Sequence, residues 1–548
     1  MSEALERERQ APADPAALLA RADYLKGRRA VFDSHWQEVA DFILPSREFT
    51  RTNQPGAKRL TRIFNGTPCD AAKQLAGGLH GMLTSPALRW FQLRPQGMRG
   101  QNGQFDDPVT AWFEAATDRM YEEFNSPKAG FNASVHEVYL DLSGFGTSAL
   151  FIGDAGPRGP TFQAIPLKEM FIACNAGRVD TAFRLFQLPA RAIEAMWPKV
   201  QAKVVQEACD KEPDRLFDLV HAVLPRDEDE RGGMPFRSVY LLREGMEVLE
   251  AGGFREFPYC IPRWSKRSGE DYGDGPGMDA LPDVKLLNKL EELNLRGLAK
   301  VVDPPLMAPH DGFLGPITTQ PGGINYFQPG LSSDERISPM ETGARPDLGL
   351  EYIQAIEARV QRTFYTTWMN LPTRPNMTAT EVLQRRDEQL RLLGPMVSRL
   401  QEELLGPLIE RVFSIMWRAQ LFPPPPEELA GTQWEVEYLS PLALSQKASD
   451  ADAVVRWASA LGQLAQFDPS ALDVLDSHAA GRFLGDRYGV SQTVMRSERE
   501  AQGMAQQRQQ QQAQAAQIEG AQGMARAAKD GMGALAALGQ GQGQGAPA

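Results

Sequence analysis

Apolar residues recur at steps of three and four along most of this chain, and the places where that rhythm breaks mark its parts. Between Asp14 and Pro45, Leu18, Leu19, Ala22, Leu25, Val31, Phe32, Trp36, Val39, Phe42 and Ile43 keep helical spacing among Arg and Asp, which predicts one or two helices. Asp70 to Thr84 reads as a further helix, and its Gly77, Gly78 and Gly81 predict close packing against a neighbour. Pro108 to Phe124 places Trp112, Phe113, Ala116, Met120 and Phe124 on one side of another, so the first quarter reads as mostly α. After Gly144 the period shortens. FGTSALFIGD, TFQAIPL, EMFIAC and TAFRLFQL are short runs rich in Phe, Ile and Thr, separated by Gly, Pro and Asn, and they predict strands. Helical segments are expected near Pro189 to Val220, and strands again in SVYLLREG, MEVLEAGGF and YCIPRW.

A long helical pair follows. Asp279 to Val302 carries Pro282, expected in its first turn, and a stripe of Leu286, Leu290, Leu293, Leu298 and Val301. Asp303 to Pro346 is full of Pro and Gly, which predicts a small non-helical module. Asp347 to Met369 resumes the helix with Leu350, Ile353, Ile356, Val360 and Phe364, and Leu371-Pro372-Thr373-Arg374-Pro375 forms a stiff loop. Thr378 and Glu381 then make a capping box at the head of a stripe of Val382, Leu390, Leu393, Val397, Leu400, Leu404, Leu408 and Val412. Gly394-Pro395 and Gly406-Pro407 interrupt it, so that helix should bend or break there. After Pro423 to Pro426, TQWEVEYLS reads as a strand and Ala448 to Leu484 as helices. A Gln- and Ala-rich segment follows, and a tail too poor in apolar residues to pack. The fold class is α+β, mainly helical. Its divisions fall at 1–277, 278–302, 303–346, 347–370, 371–376, 377–422, 423–490, 491–530 (Gln/Ala-rich helix) and 531–548 (disordered tail).

A chain of 548 residues is too long for one core, and 42% hydrophobic residues suffice to fill several. A net charge of -12 argues against tight nucleic-acid binding, which needs clustered cations to displace counterions. Four scattered cysteines fit a reducing compartment. No signal peptide or membrane span is evident, so the reading is a soluble cytosolic product without a membrane partner. Candidate chemistry is sparse. There is no G-x-x-x-x-G-K-[ST] loop and no G-x-S-x-G elbow. His136-Glu137 lacks the second histidine of a zinc motif, leaving His136 a partly buried structural residue. Gly273-Asp274-Gly275-Pro276-Gly277 reads as a tight turn, and the acids Asp227 to Glu230 as a solvated loop. No catalytic residue, metal or cofactor is expected: the chain reads as a structural or binding protein, not an enzyme.

Four stretches carry a resemblance: WQEVADFILPSRE (Trp36 to Glu48), LAGGLHGMLTSPALRWFQL (Leu75 to Leu93), RWSKRSGEDYGDGPGMDALPDVKLLN (Arg263 to Asn288) and NMTATEVLQRRDEQLRLLGPMVSRLQEELLGPLIER (Asn376 to Arg411). Through them, from about residue 17 to residue 490, the chain resembles the head-to-tail connecting, or portal, proteins of short-tailed phages. Asp274 departs from the arginine of that pattern. The resemblance implies a homododecameric ring around a DNA channel at one capsid vertex, assembled in the bacterial host cytoplasm and then part of the virion. In those terms residues 1–277 are a wing, 278–302 and 347–370 a two-helix stem, 303–346 a clip, 371–376 a channel loop, 377–422 a kinked helix, and 423–490 a returning strand and crown. It further implies that the ring passes double-stranded DNA during packaging and ejection, and meets the major capsid protein and scaffold, the terminase and then a tail adaptor. An acidic subunit suits such a pore, because a basic groove would hold DNA still.

On this reading Arg374, Asn376, Arg385 and Arg386 are the channel candidates, with a solvated helix face the other reading of Arg385 and Arg386. Phe313, Leu314, Ile317, Tyr326 and Phe327 are candidates for clip or adaptor contact, since a short Pro/Gly-rich module cannot hide them all. The alternatives are another ring-forming tail or scaffold component and a DNA-packaging enzyme.

Overall fold

The computed structural model describes residues 14–50, 56–58, 63–96, 107–199, 202–226, 233–307, 317–318, 320, 324, 326, 338–340, 346–366, 394–429, 433–439, 441–468, 470, 474–487, 503–504, 507–508, 510–511 and 514. It has two compact units, of which the larger comprises Met1–Arg94, Ala115–Pro425 and Trp434–Ala443.

The centre of the larger unit is a five-stranded antiparallel meander of β4 (Met170–Asn175), β5 (Arg178–Pro189), β6 (Leu216–Pro225), β7 (Phe236–Leu242) and β8 (Glu247–Phe254). Helix α1 (Pro15–Phe42), capped by the Asp14 carboxylate on the Ala16 amide, lays Leu18, Ala22 and Leu25 on one face, against Phe171, Phe183, Val220 and Leu241. Helices α5 (Ala190–Met196) and α6 (Lys203–Lys211) cover the other with Ile193, Trp197 and Val205, against Phe217, Leu219 and Leu242. A strand covered on both faces reads as a near-continuous apolar run. That is why Leu216 to Val220, expected to be helical, is instead the start of the central strand. Two buried polar groups fix this packing. Arg29 of α1 donates to the carbonyls of Leu167 (2.7 Å), Lys168 (2.8 Å) and Met170, and lies 3.8 Å from the centroid of the Phe171 ring. His221 lies between the Tyr259 hydroxyl (2.7 Å) and the Ser238 hydroxyl (3.0 Å), stacked on Tyr240 at 3.9 Å. Burial drives the His221 pKa down to about 3, so it is held neutral.

Around this sheet lie α2 (Thr67–Leu83) and α4 (Phe131–Phe145), and a small sheet of β3 (Pro160–Ala164), β2 (Leu150–Asp154) and β9 (Tyr259–Cys260). Beyond them, β1 (Phe91–Gln96) pairs with β14 (Gln433–Tyr438), next to α3 (Asp107–Asn125). Helix α4 and strand β1 were not visible in the pattern. The α1 region is one unbroken helix, and Val31, assigned to its apolar stripe, is exposed. Gly77 and Gly81 of α2 face open space: an added Cβ would meet nothing within 4 Å, so at these two positions the expected close packing is not found among the described residues. The second unit, Pro95–Glu114, Pro426–Gln433 and Leu444–Ala548, holds most of α11 (Pro441–Leu464) and all of α12 (Ser477–Arg487), where helices were expected.

The long helical pair is α7 (Pro276–Val302) and α8 (Pro346–Thr363). Helix α7 starts earlier than the pattern suggested, with Pro276 in the first turn, so Pro282 falls inside the helix and leaves the Met278 carbonyl without its usual partner. Helix α8 runs to Thr363, Tyr365 just beyond has a left-handed φ of 59°, and the rest of the stretch expected to be helical, to Met369, lies outside the described residues after Thr366. At the far end, β12 (Leu306–Met307) pairs with β13 (Ser338–Pro339). The pair contact each other closely: a Cβ on Gly349 would lie 2.7 Å from Asn294 Oδ1, and Arg359 bonds Asp283 at 2.8 Å.

Candidate functional site

At the root of α7, five glycines allow two stretches of backbone to cross. A Cβ on Gly146, which has a φ of +69°, would lie 2.1 Å from the Asp274 carbonyl carbon. One on Gly275 would lie 2.5 Å from the Gly146 nitrogen, and one on Gly277 2.6 Å from the Gly144 carbonyl oxygen. The glycine-rich stretch read as a tight turn is therefore this crossing, made of β11 (Gly273–Asp274), paired with β10 (Ser265–Lys266), and the first turn of α7. Asp274 ion-pairs with Arg267. The Asp279 carboxyl, one turn into α7, is pushed up by burial and then by the charge of Asp274.

Beside the crossing, Arg263 joins three segments. Its backbone amide (2.9 Å) and Nε (3.1 Å) both donate to one oxygen of Glu403, and a terminal nitrogen donates to the other at 2.6 Å. Its remaining donors reach the Gly177 carbonyl at 2.9 Å, the Asp271 carbonyl at 3.2 Å and Cys174 Sγ at 3.4 Å. Burial works against the Arg263 charge, but Glu403 outweighs it and the net shift is upward.

Glu403 belongs to the helix predicted to bend. That element is α9 (Gly394–Leu400), a π-turn (Gln401–Leu405) and α10 (Gly406–Arg418). The physical cause is Pro407, which has no N–H and whose ring clashes with the carbonyl four residues back. Widening the preceding turn relieves the clash, and the Gly406 amide bonds Gln401 rather than Glu402. The stripe survives, with Val397, Leu400, Leu404, Leu408 and Val412 all buried. Arg411 interrupts that apolar face and anchors α10: it donates to the Ile152 carbonyl at 3.0 Å and the Glu256 carbonyl at 2.9 Å. Burial, opposed by Glu256, lowers its pKa to about 10. Arg418 adds a 2.8 Å bond to Glu256. Between β5, the segment from Glu256 to Lys266, and this helix lies a groove of about 1000 Å³.

The turn at residues 63–67 holds both long helices. The Phe64 amide donates to Asn288 Oδ1 at 2.7 Å, and Asn65 Nδ2 (2.8 Å) and Thr67 Oγ1 (3.2 Å) donate to Glu357 Oε1. The outer halves of the same helices are bare. Leu293 is 51% exposed, Val301 50% and Leu350 50%, and Leu286 and Leu298 are exposed as well. The stripe assigned to α7 is thus its solvent face, while Met278, Leu281, Val284 and Leu287 are the buried ones.

Of the predicted site residues, Arg374, Asn376, Arg385, Arg386, Phe313, Leu314 and Phe327 lie outside the described residues, as do the acids Asp227 to Glu230. Ile317 and Tyr326 are described and exposed, at 40% and 71%. His136 is half-buried, 6.0 Å from His80 between ring centroids. No group of three or more metal-ligating side chains occurs among the described residues, and no helix there is long and apolar enough to cross a membrane. Arg263, Glu403 and Arg411 escaped the sequence reading. Only Arg411, a charge set within the apolar stripe, left a local trace.

Residues 16–495 match the family model described as bacteriophage head to tail connecting protein. The chain is 32% identical over 510 residues to the portal protein of Salmonella phage epsilon15, covering 90% of each chain. It is 31% identical over 495 residues to the probable portal protein of Bordetella phage BPP-1, covering 86% of this chain and 87% of that one. Among solved structures, the neck of the native GTA particle computed with C12 symmetry aligns with 76% of this chain and 94% of its own, at 11% identity and a TM-score of 0.36, too low to carry an argument. On the span of the family model and the two relatives above 30% identity, this chain belongs to the bacteriophage head-to-tail connecting proteins, structural joints between phage head and tail.

Proposed function

We propose that copies of this chain close into a ring, a dodecamer by family resemblance, at one vertex of the phage capsid, and that double-stranded genomic DNA is packaged and later ejected through its channel. The observation that carries this is the bare face of α7 and α8. Leu293, Leu298, Val301 and Leu350 are exposed on the outer halves, beyond the contacts that hold the roots of these helices, and an identical neighbour is the cover that a ring supplies at every subunit. In this reading residues 1–277 form the wing, α7 and α8 the stem, 303–346 the clip, 371–376 the channel loop, and α9 and α10 part of the kinked helix. Wing and crown meet the major capsid protein and scaffold, and the clip meets the terminase and then the tail adaptor.

Arg374, with Asn376, Arg385 and Arg386, would line the channel as thin cationic rings that touch phosphates without reading sequence. The test is Arg374→Ala in packaging-competent particles. The reading requires intact rings with altered DNA retention, an effect that shrinks at high salt; rings that fail to form would make Arg374 an interface residue instead. Deleting residues 309–328, which removes Phe313, Leu314, Ile317, Tyr326 and Phe327, should leave the wing folded and abolish terminase docking, and normal docking would contradict the clip assignment.

A further inference from the structure

We propose that the π-turn at Gln401–Leu405 is a register joint: its extra residue, pinned by Arg263 through Glu403, sets the rotation of α9 about its axis independently of α10. The pins on the two sides of the joint differ. Downstream, α10 is fixed by Arg411 on the Ile152 and Glu256 carbonyls and by Arg418 on Glu256. Within the joint, Arg263 holds Glu403 by three hydrogen bonds, and the Tyr438 hydroxyl donates to the Gln401 carbonyl at 3.3 Å, the carbonyl that also receives the Gly406 amide. Gly406 is the residue that fits: a Cβ there would lie 3.1 Å from the Gln401 carbonyl oxygen and 3.4 Å from the Tyr438 hydroxyl.

A π-turn inserts one residue into a helix, and removing one residue from an α-helix turns everything upstream by about 100° and shifts it by about 1.5 Å. With the insertion, α9 points Met396, Val397 and Leu400 inward and Ser398 into the open groove, and α10 points Leu408, Ile409 and Val412 inward. Without it, the same sequence could satisfy only one of the two helices. Glu402 is the expendable member, since it is exposed and its one contact is a 3.5 Å ion pair with the exposed Arg178. The inference concerns one chain and does not require the ring.

The experiment is thiol labelling of the full-length chain carrying either Ser398→Cys or Val397→Cys, read by peptide mass spectrometry so that the native cysteines do not interfere. In the parent, Ser398→Cys should label at least about tenfold faster than Val397→Cys, because the buried site reacts only through local opening. Deleting Glu402 removes the inserted residue, so the turn can close as regular α with both flanking helices still in register, and that order should be kept. Pro407→Ala, which restores the missing amide and removes the clash, lets the turn close as α with the chain length unchanged, so α9 turns by about 100° and position 398 should slow toward the rate of position 397. General loosening of the fold would speed both positions together. Both rates rising together, a ratio that stays as in the parent in Pro407→Ala, or an order reversed by deleting Glu402 would overturn the proposal.

Discussion

The region up to residue 277, proposed as the wing, and the helices α7 and α8, proposed as the stem, treat their side chains in opposite ways. In the wing, three large buried polar side chains find partners within the same chain: Arg29 takes three carbonyls, His221 two hydroxyls, and Arg263 a carboxylate, two carbonyls and a thiol. In the stem, α7 and α8 touch each other from the Arg359 bond to Asp283 out to Gly349 against Asn294 and are held at their inner halves by the 63–67 turn, but they run outward with leucines and a valine in the open. A region that satisfies itself can fold alone, whereas one that leaves an apolar face bare is completed by association.

The sharpest break would come at the stem. Leu293→Glu with Leu298→Glu puts two charges on the face proposed to meet a neighbour, and ring assembly should be lost outright in sedimentation. Circular dichroism should match the parent, because both positions are already exposed within one chain, while the thermal midpoint should fall with the loss of the stabilising neighbours. In the wing the corresponding cut is Arg263→Ala. It leaves Glu403 without its buried partner, and about 3 to 5 kcal/mol of stability should disappear in urea unfolding.

A smaller effect separates two buried wing groups by pH. Asp141, bonded to Arg47 at 2.6 Å, has its pKa raised from 3.8 to about 6, chiefly by burial. The folded state therefore binds its proton more tightly, a contribution present below about 3.8 and lost as pH rises through about 6. His221 is the reverse: its pKa falls from 6.5 to about 3, so its contribution is present above 6.5 and is lost as pH falls toward 3. From pH about 4 to about 6 the two slopes oppose. Relative to the parent, Asp141→Asn should lose stability on acidification across that window, by about 1.4 kcal/mol per pH unit at most, and His221→Phe should gain it. Denaturant midpoints taken at each pH read both. The smallest change is expected where wing and stem join: Asn65→Ala removes one donor from Glu357 and should cost about 1 kcal/mol while leaving the secondary structure intact.

The division between the two regions also governs what could be read from sequence. The α1 stripe was legible because Leu18, Ala22, Leu25, Trp36 and Val39 pack on a neighbour at helical spacing. Leu216 to Val220 was misread because a five-residue run with Leu216, Phe217, Leu219 and Val220 fits either period. The choice was made by β5 and β7 on its flanks and by helices on both faces. The α7 stripe was visible, but spacing cannot say whether the cover is the same chain or another. The Arg263–Glu403 bond spans 140 residues and the Gly146–Gly275 crossing more than a hundred, so neither has a local signature. The bend at Gly406-Pro407 was legible because proline acts on its own helix, but its form, a π-turn, depends on Tyr438 and Arg263 from elsewhere.

The central claim is that the bare stem face is covered by identical neighbours. Electron microscopy of the purified full-length chain, class-averaged without imposed symmetry, tests it most directly. The account predicts closed rings in which α7 and α8 of adjacent subunits are in contact around an open axis. Single chains at micromolar concentration, or rings whose stem faces point to solvent, would contradict it.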